Sequence, residues 1–168
     1  MNSEIDIKNC LDNMANELGA QLTNNNRSDV VMIGIQTGGV WIARQLIERM
    51  DIEIPLGELN IAFYRDDFSQ IGLHPRVSPS SLPFDVENRH IILVDDVLHT
   101  GRTIRAALNE IFDFGRPASV ALAVLIERSG QELPVSANIV GKRISLNPDE
   151  HVKLCGPEPL ALEIKTTE

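Results

Sequence analysis

One pattern occurs twice in this chain: a short apolar run, a small polar loop, then apolar residues at helical spacing. Val30-Val31-Met32-Ile33-Gly34-Ile35 leads through Thr37-Gly38-Gly39 to Val40, Ala43, Ile47 and Met50. Ile91-Ile92-Leu93-Val94 leads through a polar loop from Asp95 to Gly101 to Ile104, Ala107, Leu108 and Ile111. Gly115-Arg116-Pro117 then ends that helix, and Ala118 to Ile126 is a third apolar run. Strands that are apolar throughout, rather than alternating, are those covered on both faces. The pattern predicts an α/β fold with a doubly wound, mostly parallel sheet flanked by helices. Ile7, Leu11, Met14, Leu18 and Leu22 add a helix at the start, stopped by the polar run from Asn24 to Asp29. Ile61-Ala62-Phe63-Tyr64 reads as a further strand, followed by an aperiodic stretch from Arg65 to Asn88. A loop of that length in a compact domain is usually functional or mobile.

Size and charge narrow the class. A chain of 168 residues is expected to form one domain, 1–168. Its 43% hydrophobic and 23% charged residues exclude a disordered or fibrous chain. No apolar run reaches the roughly 18–20 residues of a membrane span. Met1 to Asp6 lacks the basic start and apolar core of a signal peptide. Cys10 and Cys155 are too few for a disulfide framework and are not spaced as a zinc site. The expected location is cytoplasmic, with no membrane association. With 15 basic against 24 acidic residues the net charge is −9, which argues against a diffuse nucleic-acid-binding surface.

Ligands of open α/β sheets bind outside the carboxyl ends of the strands, which directs attention to the loops after Ile35, Tyr64 and Val94. The third is the informative one: Val94-Asp95-Asp96-Val97-Leu98-His99-Thr100-Gly101-Arg102-Thr103. Two carboxylates at the end of a buried strand are costly to desolvate unless they meet hydroxyls or a metal. Thr100, Gly101 and Thr103 enter a helix, where backbone N–H groups and the helix dipole favour a phosphate. Acids beside an anion cradle suit a phosphorylated sugar. The stretch has no Gly-Lys-Ser/Thr and no spaced glycine triplet, so it is neither a mononucleotide P-loop nor a dinucleotide fingerprint. The alternative for Asp95-Asp96 is a solvated strand end, and for Thr37-Gly38-Gly39 a plain turn. Trp41 and Met50 read as core or interface residues, and the cysteines as free thiols.

Ile92 to Ile104 resembles the phosphoribosyl pyrophosphate (PRPP) signature of type I phosphoribosyltransferases. Gly34 to Gly39, Leu56 to Asp67, Phe114 to Pro117 and Arg128 to Pro134 further resemble the bifunctional pyrimidine operon regulator and uracil phosphoribosyltransferase family. The resemblance implies a type I phosphoribosyltransferase fold with a flexible flap and a small C-terminal hood. It implies that Asp95 and Asp96 contact the ribose hydroxyls and, through water or ligand oxygens, Mg²⁺. Val97, Leu98, His99, Thr100, Gly101, Arg102 and Thr103 would wrap the 5′-phosphate. Thr37, Gly38 and Gly39 would face pyrophosphate, Arg65 would reach the diphosphate, and Arg128 and Val152 would lie at the base. Asp95, Asp96 and Arg65 are therefore the expected catalytic residues. His74-Pro75-Arg76 would belong to the flap.

The reaction so implied is uracil plus PRPP giving UMP and pyrophosphate. Gly38 stands where the family often has a basic residue, and His99 where Tyr is more usual. Family members that bind messenger RNA use a basic concave dimer face. Here the first helix carries Lys8 among Glu4, Asp6, Asp12 and Glu17, and Lys142 and Arg143 precede Asp149 and Glu150. RNA is thus a doubtful partner, because each missing phosphate contact weakens salt-dependent binding. The alternatives are a nucleotide-sensing attenuation regulator with weak or no catalysis, and a purine phosphoribosyltransferase. A homodimer or homotetramer is the expected assembly.

Overall fold

The structure is a computed structural model describing residues 4–24, 28–61 and 80–167. It contains, in chain order, α1 (Ile7–Asn24), β1 (Val30–Ile35), α2 (Gly38–Met50), β2 (Leu56–Leu59) and β3 (His90–Leu98). These are followed by α3 (Arg102–Phe114), β4 (Ser119–Arg128), β5 (Ile139–Ile144), β6 (Glu150–Cys155) and β7 (Ala161–Thr166). Strands β2-β1-β3-β4-β5 form one sheet in that order, and all four pairings are parallel. β6 and β7 form a separate antiparallel pair, the small C-terminal hood. This is the expected type I phosphoribosyltransferase architecture.

The period of the strands sorts the core into two layers. Ile92 and Val94 of β3 face Leu11, Met14 and Leu18 of α1 and Ile42, Ala43 and Leu46 of α2. Ile91 and Leu93 face the other way, toward Ile104, Ala107 and Ile111 of α3. Every residue of β1 is buried, as its continuous apolar run requires. Leu154 of β6 is buried in the first layer, with Val152, Leu160 and Leu162 packed against it, and this seats the hood over α1 and α2.

One expectation is corrected, and one lies mostly outside the described residues. A strand runs over Leu56–Leu59, upstream of the one expected at Ile61–Tyr64, with Gly57 and Glu58 between the leucines. Ile61 is buried but outside any strand, and Ala62 to Tyr64 fall outside the described residues. Side chains pack closely on Gly57: a Cβ there would lie 2.7 Å from Leu82 Cδ2 and 2.9 Å from Phe84 Cζ, and these side-chain ends would have to shift. The polar loop expected to begin at Asp95 begins later, because β3 runs on through Asp95-Asp96-Val97-Leu98, paired with β4 as far as Leu98 and Glu127. Within the stretch from Arg65 to Asn88, Ser81 forms an antiparallel bridge with Glu58. Among the described residues no helix is long and apolar enough to cross a membrane.

Candidate active site

At the carboxyl ends of β1 and β3 a cleft of about 550 Å³ opens beneath the hood. Its walls include Thr37, Gly38 and Trp41 from the start of α2, Asp95, Asp96 and Val97 from β3, and Val152, Lys153 and Leu154 from β6. His99 and Thr103 complete it. A hollow of about 120 Å³ adjoins it, formed by Val97 to Gly101 with Thr103 and Ile104. A larger hollow lies between Glu4–Lys8 and β7, where the charged Glu4, Asp6 and Lys8 stand beside aliphatic Ile5, Leu162 and Ile164.

The acid pair is fixed by the backbone that carries it. Asp95 is 2% exposed, and its Oδ1 accepts a hydrogen bond from the Asp96 N–H at 2.9 Å. Asp96 Oδ1 accepts from the Val97 N–H at 2.8 Å. Each carboxylate thus spends one oxygen on its neighbour's amide, which holds it in one orientation. The loop from Gln36 to Gly39 is pressed against this strand end. A Cβ on Gly38 would run into the Asp96 carboxylate, and one on Gly39 into the Val94 carbonyl, with Asp95 Cα at 3.1 Å. Both glycines are needed for the close approach of the two loops, independently of any ligand.

The smaller hollow sits at the N-terminus of α3. Gly101 holds φ +93°, which favours glycine, and a Cβ there would crowd Leu133 and Val135 at 3.2–3.3 Å. Thr100 Oγ1 accepts from the Arg102 N–H at 3.2 Å, and the Thr100 carbonyl accepts from the N–H groups of Glu132 and Leu133 at 3.0 Å. His99 packs on Gly130, which has φ +109°. The segment from Gly130 to Val135 therefore braces the loop from outside and leaves the start of α3 open to an anion.

Most of the expected site residues meet here: Thr37, Gly38, Asp95, Asp96, Val97, His99, Thr103 and Val152 line the cleft, with Leu98, Thr100 and Gly101 in the adjoining hollow. The side chain of Arg102 instead pairs with Glu132 at 3.0 Å. Arg128 is buried, 5% exposed, and donates from Nη1 to the Glu150 carbonyl at 2.7 Å; it is not among the cleft-lining residues. Arg65 lies outside the described residues, as do His74, Pro75 and Arg76. Trp41, which reads from the sequence as core or interface, lines the cleft one turn after Thr37, and that spacing is the available signal. Lys153 and Leu154 also line it, and their only sequence signal is that they adjoin Val152.

The donor set suits magnesium only as a shared ligand. Among the described residues no three His, Cys, Asp or Glu side chains converge. A Mg²⁺ ion here would find the carboxylates of Asp95 and Asp96 and would take its remaining oxygens from a phosphorylated ligand and water.

Comparison with known proteins agrees with this geometry. The phosphoribosyl transferase domain family matches residues 3–157. Bifunctional protein PyrR of Nitrosococcus oceani is 59% identical over 155 residues, covering 91% of this chain and 88% of that protein. The protein of the same name from Pseudomonas aeruginosa PAO1 is 53% identical, covering 92% and 91%. Among solved structures, a hypoxanthine phosphoribosyltransferase of Staphylococcus aureus aligns with TM-score 0.63 and 24% identity over 85% of this chain and 76% of that one. The hypoxanthine phosphoribosyl transferase of Trypanosoma cruzi gives TM-score 0.66 and 19% identity, covering 86% and 76%. At such identities the structures speak for the fold alone. The family match across most of the chain, the high identity to the PyrR proteins, and a twin-acid strand end beside a helix-capped cradle together make this chain a member of the PyrR-like type I phosphoribosyltransferase family.

Proposed function

We propose that this transferase joins uracil to PRPP, giving UMP and pyrophosphate. The observation that carries the reading is the acid pair facing the same cleft as the open start of α3, in a chain more than half identical to PyrR proteins. In this reading Asp95 and Asp96 hold the ribose hydroxyls, and the loop from Val97 to Thr103 takes the 5′-phosphate on backbone amides. Thr37, Gly38 and Gly39 face the diphosphate. Arg65 would supply the cation that Gly38 does not. The base lies near Trp41, Val152 and Leu154; among the described strands β6 pairs only with β7, which supports a role for its backbone in reading uracil.

The bond from C1′ to the diphosphate oxygen breaks with its electron pair leaving on pyrophosphate. The new bond forms from uracil N1, whose proton is released. Positive charge develops on the sugar, so the chain's task is to hold both ends of the pentose, align the base and exclude water. Asp95 and Asp96 would hold Mg²⁺, which when bound would supply neutralising charge for a leaving diphosphate. No side chain is assigned as a base.

Purified protein given uracil, PRPP and Mg²⁺ is expected to form UMP, measured by chromatography beside parallel reactions with hypoxanthine and guanine. Turnover of a purine with none of uracil would overturn the substrate assignment. The relatives' name, bifunctional, fits a second role, and the sequence resemblance points to regulation by RNA binding as that role. The net charge of −9 leaves few cations for a phosphate-binding face, which makes catalysis the stronger reading. UMP-enhanced, salt-sensitive binding to a pyrimidine-operon leader RNA would establish the second role, and its absence at low salt would remove it.

A further inference from the structure

Glu58 is an unexpected residue beside a site for a diphosphate. It lies in β2, the edge strand next to β1, in register with Gly34. Its side chain is 31% exposed, and its carboxylate is divided between two partners. Oε1 accepts from Arg44 Nη2 of α2 at 2.8 Å, and Oε2 accepts from Gln36 Nε2 at 3.1 Å. Its main chain is held as firmly: its N–H donates to the Ser81 carbonyl at 2.8 Å, and its carbonyl accepts from the Ser81 N–H at 2.7 Å.

Gln36 is the last residue before the Thr37-Gly38-Gly39 loop. Its N–H donates to the Leu59 carbonyl at 2.9 Å, so both main chain and side chain are tied to β2. The next residues press directly on Asp96 and on the Val94 carbonyl, with no slack for even a methyl group. A shift at Gln36 is therefore passed on to the acid pair. The division of the carboxylate also has an electrostatic logic. An uncompensated anion here would repel a diphosphate, whereas Arg44 neutralises it and leaves the second oxygen to orient the amide.

We infer that Glu58 is a positioning residue: through Gln36 it fixes the Thr37–Gly39 loop against Asp95 and Asp96, and so governs affinity for the diphosphate-bearing donor but not for the base. The inference rests on the proposed phosphoribosyl transfer, and its readout is donor binding measured without base.

The test is calorimetric titration of PRPP with Mg²⁺ into the full-length protein and its variants, alongside steady-state kinetics. Glu58→Ala is expected to weaken PRPP binding roughly three- to tenfold, the size of one or two lost hydrogen bonds, with the KM for uracil unchanged. Gln36→Ala should give the same loss, and the double variant no more than either alone, because both remove one coupling. Glu58→Gln retains an acceptor and should recover part of the affinity. Wild-type donor affinity in Glu58→Ala, or a double variant whose loss is the product of the two single losses, would overturn the assignment. Equal weakening of donor and uracil together with a lowered Tm would overturn it too, by showing a general structural role. Wild-type protein that binds PRPP but makes no UMP would sink the uracil reading alone, because the donor affinities of the variants would still decide the role of Glu58.

Discussion

A methyl group added to Gly38 would have to share space with the Asp96 carboxylate, whose Cγ lies 2.7 Å from the ideal Cβ position, so this small residue sets how close two loops can come. The close contact shows what the absence of a side chain permits: the loop backbone rests directly on the acid. Gly38→Ala should therefore push the loop away or turn Asp96 from the orientation it holds through the Val97 N–H. The expected result is a PRPP affinity lower by at least about tenfold, or about 1.4 kcal/mol, with thermal stability altered far less, because the position is at the rim of the cleft. Calorimetry against PRPP with a parallel melting curve checks this. Unchanged affinity would show that the acid side chain relaxes freely.

At the scale of elements, helix α1 illustrates how a fold is joined by more than its apolar stripe. Cys10, Leu11, Met14, Ala15 and Leu18 bury one face against the sheet and α2, which the spacing of three and four predicts. The exposed flank is pinned by Asp12, which bonds Lys8 Nζ at 2.9 Å in its own helix and Arg49 Nε at 2.8 Å in α2. The Lys8 hydrogen bond first, and that of Arg49 second, hold the Asp12 carboxyl below the usual carboxylate range. A carboxyl whose value is lowered by folding stabilises the fold above its unfolded value and loses that contribution as pH falls through the folded one. The urea midpoint of wild-type protein should thus exceed that of Asp12→Asn near neutrality, and the gap should close on acidification from about pH 5 to about pH 3. Because all three groups are solvent-accessible, the gap should be small and should shrink in high salt. A gap that widens in acid would contradict the sign.

At the scale of the whole molecule, the parts of the fold legible in the sequence are those whose pattern is set locally. β1 and the start of β3 are buried on both faces and read as unbroken apolar runs, and the stretch from Asp95 to Thr103 reads as the strand end and helix start that meet at the cleft. The parts that were not legible depend on partners distant in sequence. In β2, Leu82 and Phe84 pack on Gly57, and Gln36 and Arg44 share the Glu58 carboxylate. The extension of β3 through two acids is set by its pairing with β4. Arg128 belongs to the same class. The resemblance puts the base near Arg128, where backbone groups would read it; the side chain itself is buried at the end of β4, where Nη1 donates to the Glu150 carbonyl and Nε to the Ser129 carbonyl at 3.3 Å. Next to it the Ser129 N–H donates to the Ile144 carbonyl at the end of β5, so the ends of β4 and β5 and the start of β6 are fastened at one point. This geometry makes Arg128 a strut between sheet and hood. Replacing it with Met keeps the apolar stem and leaves the Glu150 carbonyl without its charged donor. Such a hydrogen bond contributes about 1.5–3 kcal/mol, and that is the expected loss of unfolding free energy in Arg128→Met. Uracil and UMP should both bind more weakly, since Val152 and Leu154 sit on the loosened strand. A variant with wild-type stability and a selective rise in the KM for uracil would instead show that Arg128 touches the base directly.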